Sequence, residues 1–169
     1  MKKILLIAAL LLPTLAIAAP KGVNVSTSNF DGTKEVTLKP YGTSSCIGFG
    51  KTCISVGALW RSASPEVVAL DLHTLGVFVN MTNLAINIDG QIIKAEKVTL
   101  AFDHKLTGRY KESFQRFIIT KSDFDKIVAA QKVWLKISTI GGSYIETNLI
   151  DNGKTTLARD GLIRFSTEI

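Results

Sequence analysis

From residue 23 onward, apolar and polar residues alternate with period two along most of the chain, the pattern of half-buried β-strands. Val23-Asn24-Val25-Ser26 and Glu35-Val36-Thr37-Leu38-Lys39 alternate around an Asp31-Gly32 turn, and Ile54, Val56, Ala58 and Trp60 recur every second residue. Val68, Leu70 and Leu72 do the same after Pro65, and 76–80 is a further short apolar run. The strongest local signal is Leu84 to Lys94, where Asp89-Gly90 suits the positive φ angles of a two-residue hairpin turn. Counting outward from that turn pairs Ile86 with Ile93 and Leu84 with Ala95, which makes one face apolar. Val98, Leu100 and Phe102 continue the sheet, and 114–120 resumes it beyond a polar loop.

The period then changes to that of a helix. Ser122 and Asp125 have the spacing of a capping box, and Phe124, Ile127 and Val128 follow on one face, which predicts a short helix over 123–132. Leu157, Gly161, Leu162 and Phe165 predict a second over about 156–165, with Gly161 as its weak point. The expected fold class is α+β. It is predominantly antiparallel β, either sandwich-like or a single curved sheet, with two short helices late in the chain.

The first 22 residues follow another logic. Met1-Lys2-Lys3 is a cationic start, Ile4 to Leu12 is apolar, and Ala16-Ile17-Ala18 puts small residues at −3 and −1 of a cleavage site. That order is the form of a secretory signal, expected to be removed after Ala18 and to leave one globular domain over 19–169. Pro13 and the short apolar run argue against a membrane anchor, since a span needs about 20 residues. The whole chain carries +6; without Lys2 and Lys3 there remain 18 basic residues against 14 acidic ones. Such a mild excess, together with export, argues against a nucleic-acid partner. The expected location is the periplasm or the medium.

Export implies an oxidising compartment, and the only two cysteines, Cys46 and Cys53, suit it. Two ligands at this spacing fit neither a zinc site nor a C-x-x-C redox pair. A disulfide closing a small ring is expected, contributing about 2.5 kcal/mol by loop-closure entropy.

Candidate chemistry is sparse. Asp71 and His73 lie two apart on the side of their strand opposite Val68, Leu70 and Leu72, and Asp103-His104 stands at a strand end. These are the distinctive acid–base groups of a possible small envelope hydrolase, but nothing in the sequence makes them converge. There is no G-x-S-x-G elbow, and Gly141-Gly142 lacks the ending of a phosphate loop. No catalytic residue, metal or cofactor is expected.

Two surfaces remain. Strands at 133–140 and 144–150 flank Gly141-Gly142-Ser143, and a three-residue loop pairs Leu135 with Leu149, Ile137 with Thr147 and Thr139 with Ile145. Trp134, Lys136, Ser138, Tyr144, Glu146 and Asn148 then share the outer face. Aromatic rings among amide and charged groups suit an envelope glycan or a protein partner. The plainer alternative puts Trp134 beneath a helix and makes Lys136–Glu146 a cross-strand ion pair. The second surface is the protruding cationic loop and flank 104–116, which carries Lys105, Arg109, Lys111 and Arg116. Three functions follow: an exported, non-catalytic binding domain, for instance of the inhibitor or immunity type; the envelope hydrolase; and a structural subunit that adds a strand to a neighbour.

Overall fold

The computed structural model describes residues 21–40, 42–44, 52–108 and 110–169. The expected signal segment, Cys46 and Arg109 lie outside the described residues. Ten strands and two late helices form, in chain order, β1 (Val23–Thr27), β2 (Lys34–Leu38), β3 (Ile54–Arg61), β4 (Val67–Leu75), β5 (Met81–Ile88), β6 (Gln91–Thr107), β7 (Tyr110–Thr120), α1 (Lys121–Ala129), β8 (Val133–Thr139), β9 (Tyr144–Asp151), β10 (Lys154–Thr155) and α2 (Leu157–Ser166). Every pairing is antiparallel, in the order β1-β2-β3-β4-β7-β6-β5-β8-β9-β10. The predominantly antiparallel α+β class expected from the sequence is what forms.

The long strand β6 divides this sheet. Its first part pairs with β5, Ile86 opposite Ile93 and Leu84 opposite Ala95, as the Asp89-Gly90 turn predicts. Asp89 and Gly90 take φ of 49° and 99°. Its second part pairs with β7. Between Lys97↔Phe117 and Phe102↔Gln115 the register slips, so that residues 98–101 face only Arg116. This bulge bends the strand and exchanges its faces. Leu100, which the alternation places in the sheet, is 92% exposed at the bend. Gln115 is buried behind it and donates through Nε2 to the carbonyls of Val98 (2.9 Å), Ala101 (3.3 Å) and Arg116 (2.9 Å). One amide thus satisfies backbone acceptors that the slipped ladder leaves open.

One face of the sheet is predominantly apolar, with Thr74, Ser113, Gln115 and Thr147 as buried polar exceptions. Val36, Val56, Leu70, Leu72 and Phe117 from one half join Leu84, Ile86, Leu135, Ile137 and Leu149 from the other in a single core. Both helices seal it with Phe124, Ile127, Leu162 and Phe165. Helix α2 rests on β1, β2, β3 and β9, so both ends of the curled sheet meet the same helix. Gly161, the expected weak point, is where Leu38 closes on α2; a Cβ there would lie 3.2 Å from Leu38 Cδ2. Arg159 ties the helices together by donating to the carbonyls of Val128 and Ala130, at 2.8 and 2.9 Å.

Several expectations shift in detail. Helix α1 begins two residues earlier than predicted, because Thr120, not Ser122, is the cap: its Oγ1 accepts from the Asp123 amide and meets Asp123 Oδ2. The run 76–80 is not a strand but a connection that crosses from β4 to β5. The strand expected from 114 forms, but the polar loop before it is not a loop: β6 continues to Thr107 and β7 already starts at Tyr110. The polar residues there are tolerated in strands because this hairpin extends beyond the core.

Candidate functional site

The hairpin β8–β9 builds the first candidate surface. Its pairs are Trp134↔Asn148, Leu135↔Thr147, Lys136↔Glu146, Ile137↔Ile145 and Ser138↔Tyr144, two residues away from the predicted register. The turn is Ile140-Gly141-Gly142, closed by the Thr139 amide on the Ser143 carbonyl at 2.9 Å, with both glycines at positive φ. A slip of two keeps the side chains of 134–138 and 144–148 on their predicted faces; beyond the register shift Ile150 joins Val133 in the core. Leu135 and Ile137 are buried, whereas Lys136, Tyr144 and Glu146 are exposed and Trp134 is half-buried. Trp134 does not lie beneath a helix, since both helices occupy the opposite face.

Pairing of β5 with β8 and β6 completes that outer face with residues the sequence did not nominate. Ile92, Asn87, Trp134 and Asn148 form one cross-strand row, and Lys94, Ala85, Lys136 and Glu146 form the next. Trp134, Asn87, Ile92, Lys132, Lys136 and Glu146 surround a depression of about 370 Å³, with Ala85 as a small residue in its floor. Lys136 stands 4.1 Å over the Tyr144 ring and 3.5 Å from Glu146, so the expected cross-strand ion pair forms alongside a cation–π contact. Among the described residues the shielded Trp134 indole N–H has no acceptor. Asn148 keeps its predicted face opposite Trp134, but it is buried and does not line the depression; beyond it a register shift between Val133 and Trp134 interrupts the alternation, and residues 147–150 are all buried.

The second candidate surface splits in two. Lys105 lies opposite Glu112, 3.4 Å from its carboxylate, on the outer face. Lys111 is on the other face, 5.7 Å over the Phe78 ring. Arg116 is engaged elsewhere, with a bidentate pair to Asp71 at 2.7 and 2.8 Å, and it stands 5.8 Å from the Phe114 ring. Among the described residues Lys105, Lys111 and Arg116 do not form a single cationic surface, because strand geometry and register point them to different sides.

The acid–base groups separate in the same way. His73 packs on Phe114 with ring centroids 4.9 Å apart. It lines an outer-face depression of about 170 Å³ with Asp103, Lys105 and Glu112. Burial holds its imidazole below the ordinary value of 6.5, against the pull of the Asp71, Glu112 and Asp103 carboxylates. The unfolded chain therefore takes up this proton more readily, and stability falls as pH drops through 6.5 toward the lower folded value. His73→Gln is expected to flatten the stability profile across that window. Urea midpoints at a series of pH values check this, and parallel profiles for the two proteins would contradict it.

His104 is on the inner face, within β6 and not at a strand end. Its Nδ1 is 2.9 Å from Ser113 Oγ and its Nε2 is 2.6 Å from Asn80 Oδ1. The order serine, histidine, amide has the outline of a nucleophile, base and orienting group. Ser113, however, is 1% exposed and its Oγ accepts the Val79 amide at 2.8 Å, so it clamps the 76–80 connection. No sequence spacing announces this trio, which is assembled from three separate segments. Among the described residues no cluster of three or more His, Cys, Asp or Glu side chains could hold a metal ion, and no helix is long and apolar enough to cross a membrane. Compared with models of protein families, with curated proteins and with solved structures, the chain matches none.

Proposed function

We propose that the protein is an exported, soluble, non-catalytic binding domain that holds an envelope glycan or a protein partner on the outer face around Trp134. The signal-like segment 1–18 carries the export reading, and a Cys46–Cys53 disulfide belongs to it. The observation that carries the binding reading is the depression of about 370 Å³ beside Trp134. It combines an indole and an aliphatic wall with an amide, a carboxylate and ammonium groups. A sugar ring needs that combination, with apolar C–H surface against the aromatic ring and hydroxyls against the polar rim. A glycan is accordingly the favoured ligand class.

Trp134→Ala is expected to weaken binding of a solubilised envelope oligosaccharide by about tenfold or more, as loss of a central aromatic anchor does. Calorimetric titration of both proteins with the same oligosaccharide preparation checks this. Equal affinities would contradict the reading. The strand-adding subunit is the second reading, favoured by the open edge of β6 between residues 102 and 107.

A further inference from the structure

Beyond residue 95 β6 has no partner on the β5 side: β5 pairs with residues 91–95, while β7 pairs with 96–97 and, past the bulge, with 102–107. Among the described residues no backbone hydrogen bond reaches the open edge between 102 and 107. The register there is unbroken, from Phe102↔Gln115 to Thr107↔Tyr110. The Lys111 carbonyl points away from β6, since it accepts the Gly76 amide at 2.8 Å. Its opposite, Leu106, therefore also turns its N–H and C=O away from β7, and by alternation so do His104 and Phe102. The open edge thus presents three unpaired donors and three unpaired acceptors, flanked by Phe102 at 55% and Leu106 at 67% exposure. A long edge of this kind is a template for another strand.

The sequence along it, Phe102-Asp103-His104-Lys105-Leu106, is complementary to its own reverse. We propose that the edge pairs with the same edge of a second copy of this chain, antiparallel, about a two-fold axis at His104. In that register His104 exchanges both backbone bonds with its counterpart, and Phe102 and Leu106 do so with each other. All six unpaired groups are then used. Phe102 meets Leu106 twice on the inner face. Asp103 meets Lys105 twice on the outer face, at the closer, non-hydrogen-bonded positions where side chains approach best. The two other registers that use the same groups centre on Asp103 or on Lys105 and set like charges against each other. They are disfavoured for that reason. Lys105 keeps its contact with Glu112 of its own chain and gains a second carboxylate. The pairing is isologous and closed, so it stops at a dimer.

The test uses protein recovered after expression of the full chain, followed by sedimentation velocity over a concentration series. Wild type is expected to show a reversible monomer–dimer equilibrium. Asp103→Lys alone and Lys105→Asp alone each create two like-charge pairs, and dimerisation of each is expected to weaken by about tenfold or more. An equimolar mixture of the two variants restores both ion pairs across the axis and is expected to associate as wild type does. Both positions are exposed, and matching circular dichroism spectra establish that the variants fold. Wild type that stays monomeric throughout overturns the proposal. So does either variant dimerising as wild type does, or a mixture that fails to associate. None of these results bears on the Trp134 face, which lies on the other half of the sheet.

Discussion

Phe165→Ala is expected to lower the stability of the fold by about 3–5 kcal/mol, the cost of emptying a large aromatic site in a packed core. Phe165 is fully buried and meets Phe124 edge-on, ring centroids 5.6 Å apart. It is the point where α1 and α2 are joined, and α2 in turn bears on β1, β2, β3 and β9. The cavity therefore opens where the two ends of the curled sheet are held together. For a chain of this size the loss corresponds to roughly 10 °C or more in melting temperature. Leu157→Ala, at the exposed start of the same helix, is the control and should change stability by less than about 1 kcal/mol. Equal effects from the two substitutions would show that α2 does not close the core.

The second large effect is expected at Gln115. Gln115→Glu keeps the shape of the side chain but turns its donor end into an acceptor, placing a carboxyl oxygen against the carbonyls of Val98, Ala101 and Arg116. Unpaired buried polar groups cost about 1–3 kcal/mol each, so a loss of about 3 kcal/mol or more is expected. Gln115→Leu removes the donors without adding an acceptor and should cost less than the glutamate. Amide hydrogen exchange should rise first at 98–101 in both variants, because that bulge is what the side chain supports. Exchange that rises uniformly along the chain would mean that Gln115 acts as ordinary core filling.

Much of the fold was legible because local signals and long-range packing agree. The strand around Leu70 alternates cleanly since one side of it faces the core, and Asp89-Gly90 sets both the turn and the register of its hairpin. Thr156 caps α2 where helical spacing begins. What stayed hidden depends on non-local pairing. Residues 103–113 read as a loop because the hairpin projects past the core, and nothing there demands alternation. The bulge at 98–101 is invisible in a run that alternates perfectly well without it. Thr120 and Ser122 are both competent caps, and only the tertiary exit of β7 decides between them.

The candidate surface was legible to a similar degree. Parity placed Trp134, Lys136, Tyr144 and Glu146 on one face, and a register error of two could not disturb that. Asn87, Ile92 and Lys132 complete the depression only because β5 lies between β6 and β8, a strand order that no local pattern contains. Lys105 and Lys111 were grouped by composition although their strand directions set them apart.

The claim on which the functional account turns is that ligand is held, unaltered, on the outer face of β5, β8 and β9. The direct measurement is the amide spectrum of the isotope-labelled protein while a solubilised envelope glycan is added, with the sugar products assayed in the same tube. Perturbations are expected to gather at Ala85, Asn87, Trp134, Lys136 and Glu146, with the glycan recovered intact. Perturbations confined to His73, Asp103 and Glu112, accompanied by cleavage of the glycan, would contradict it.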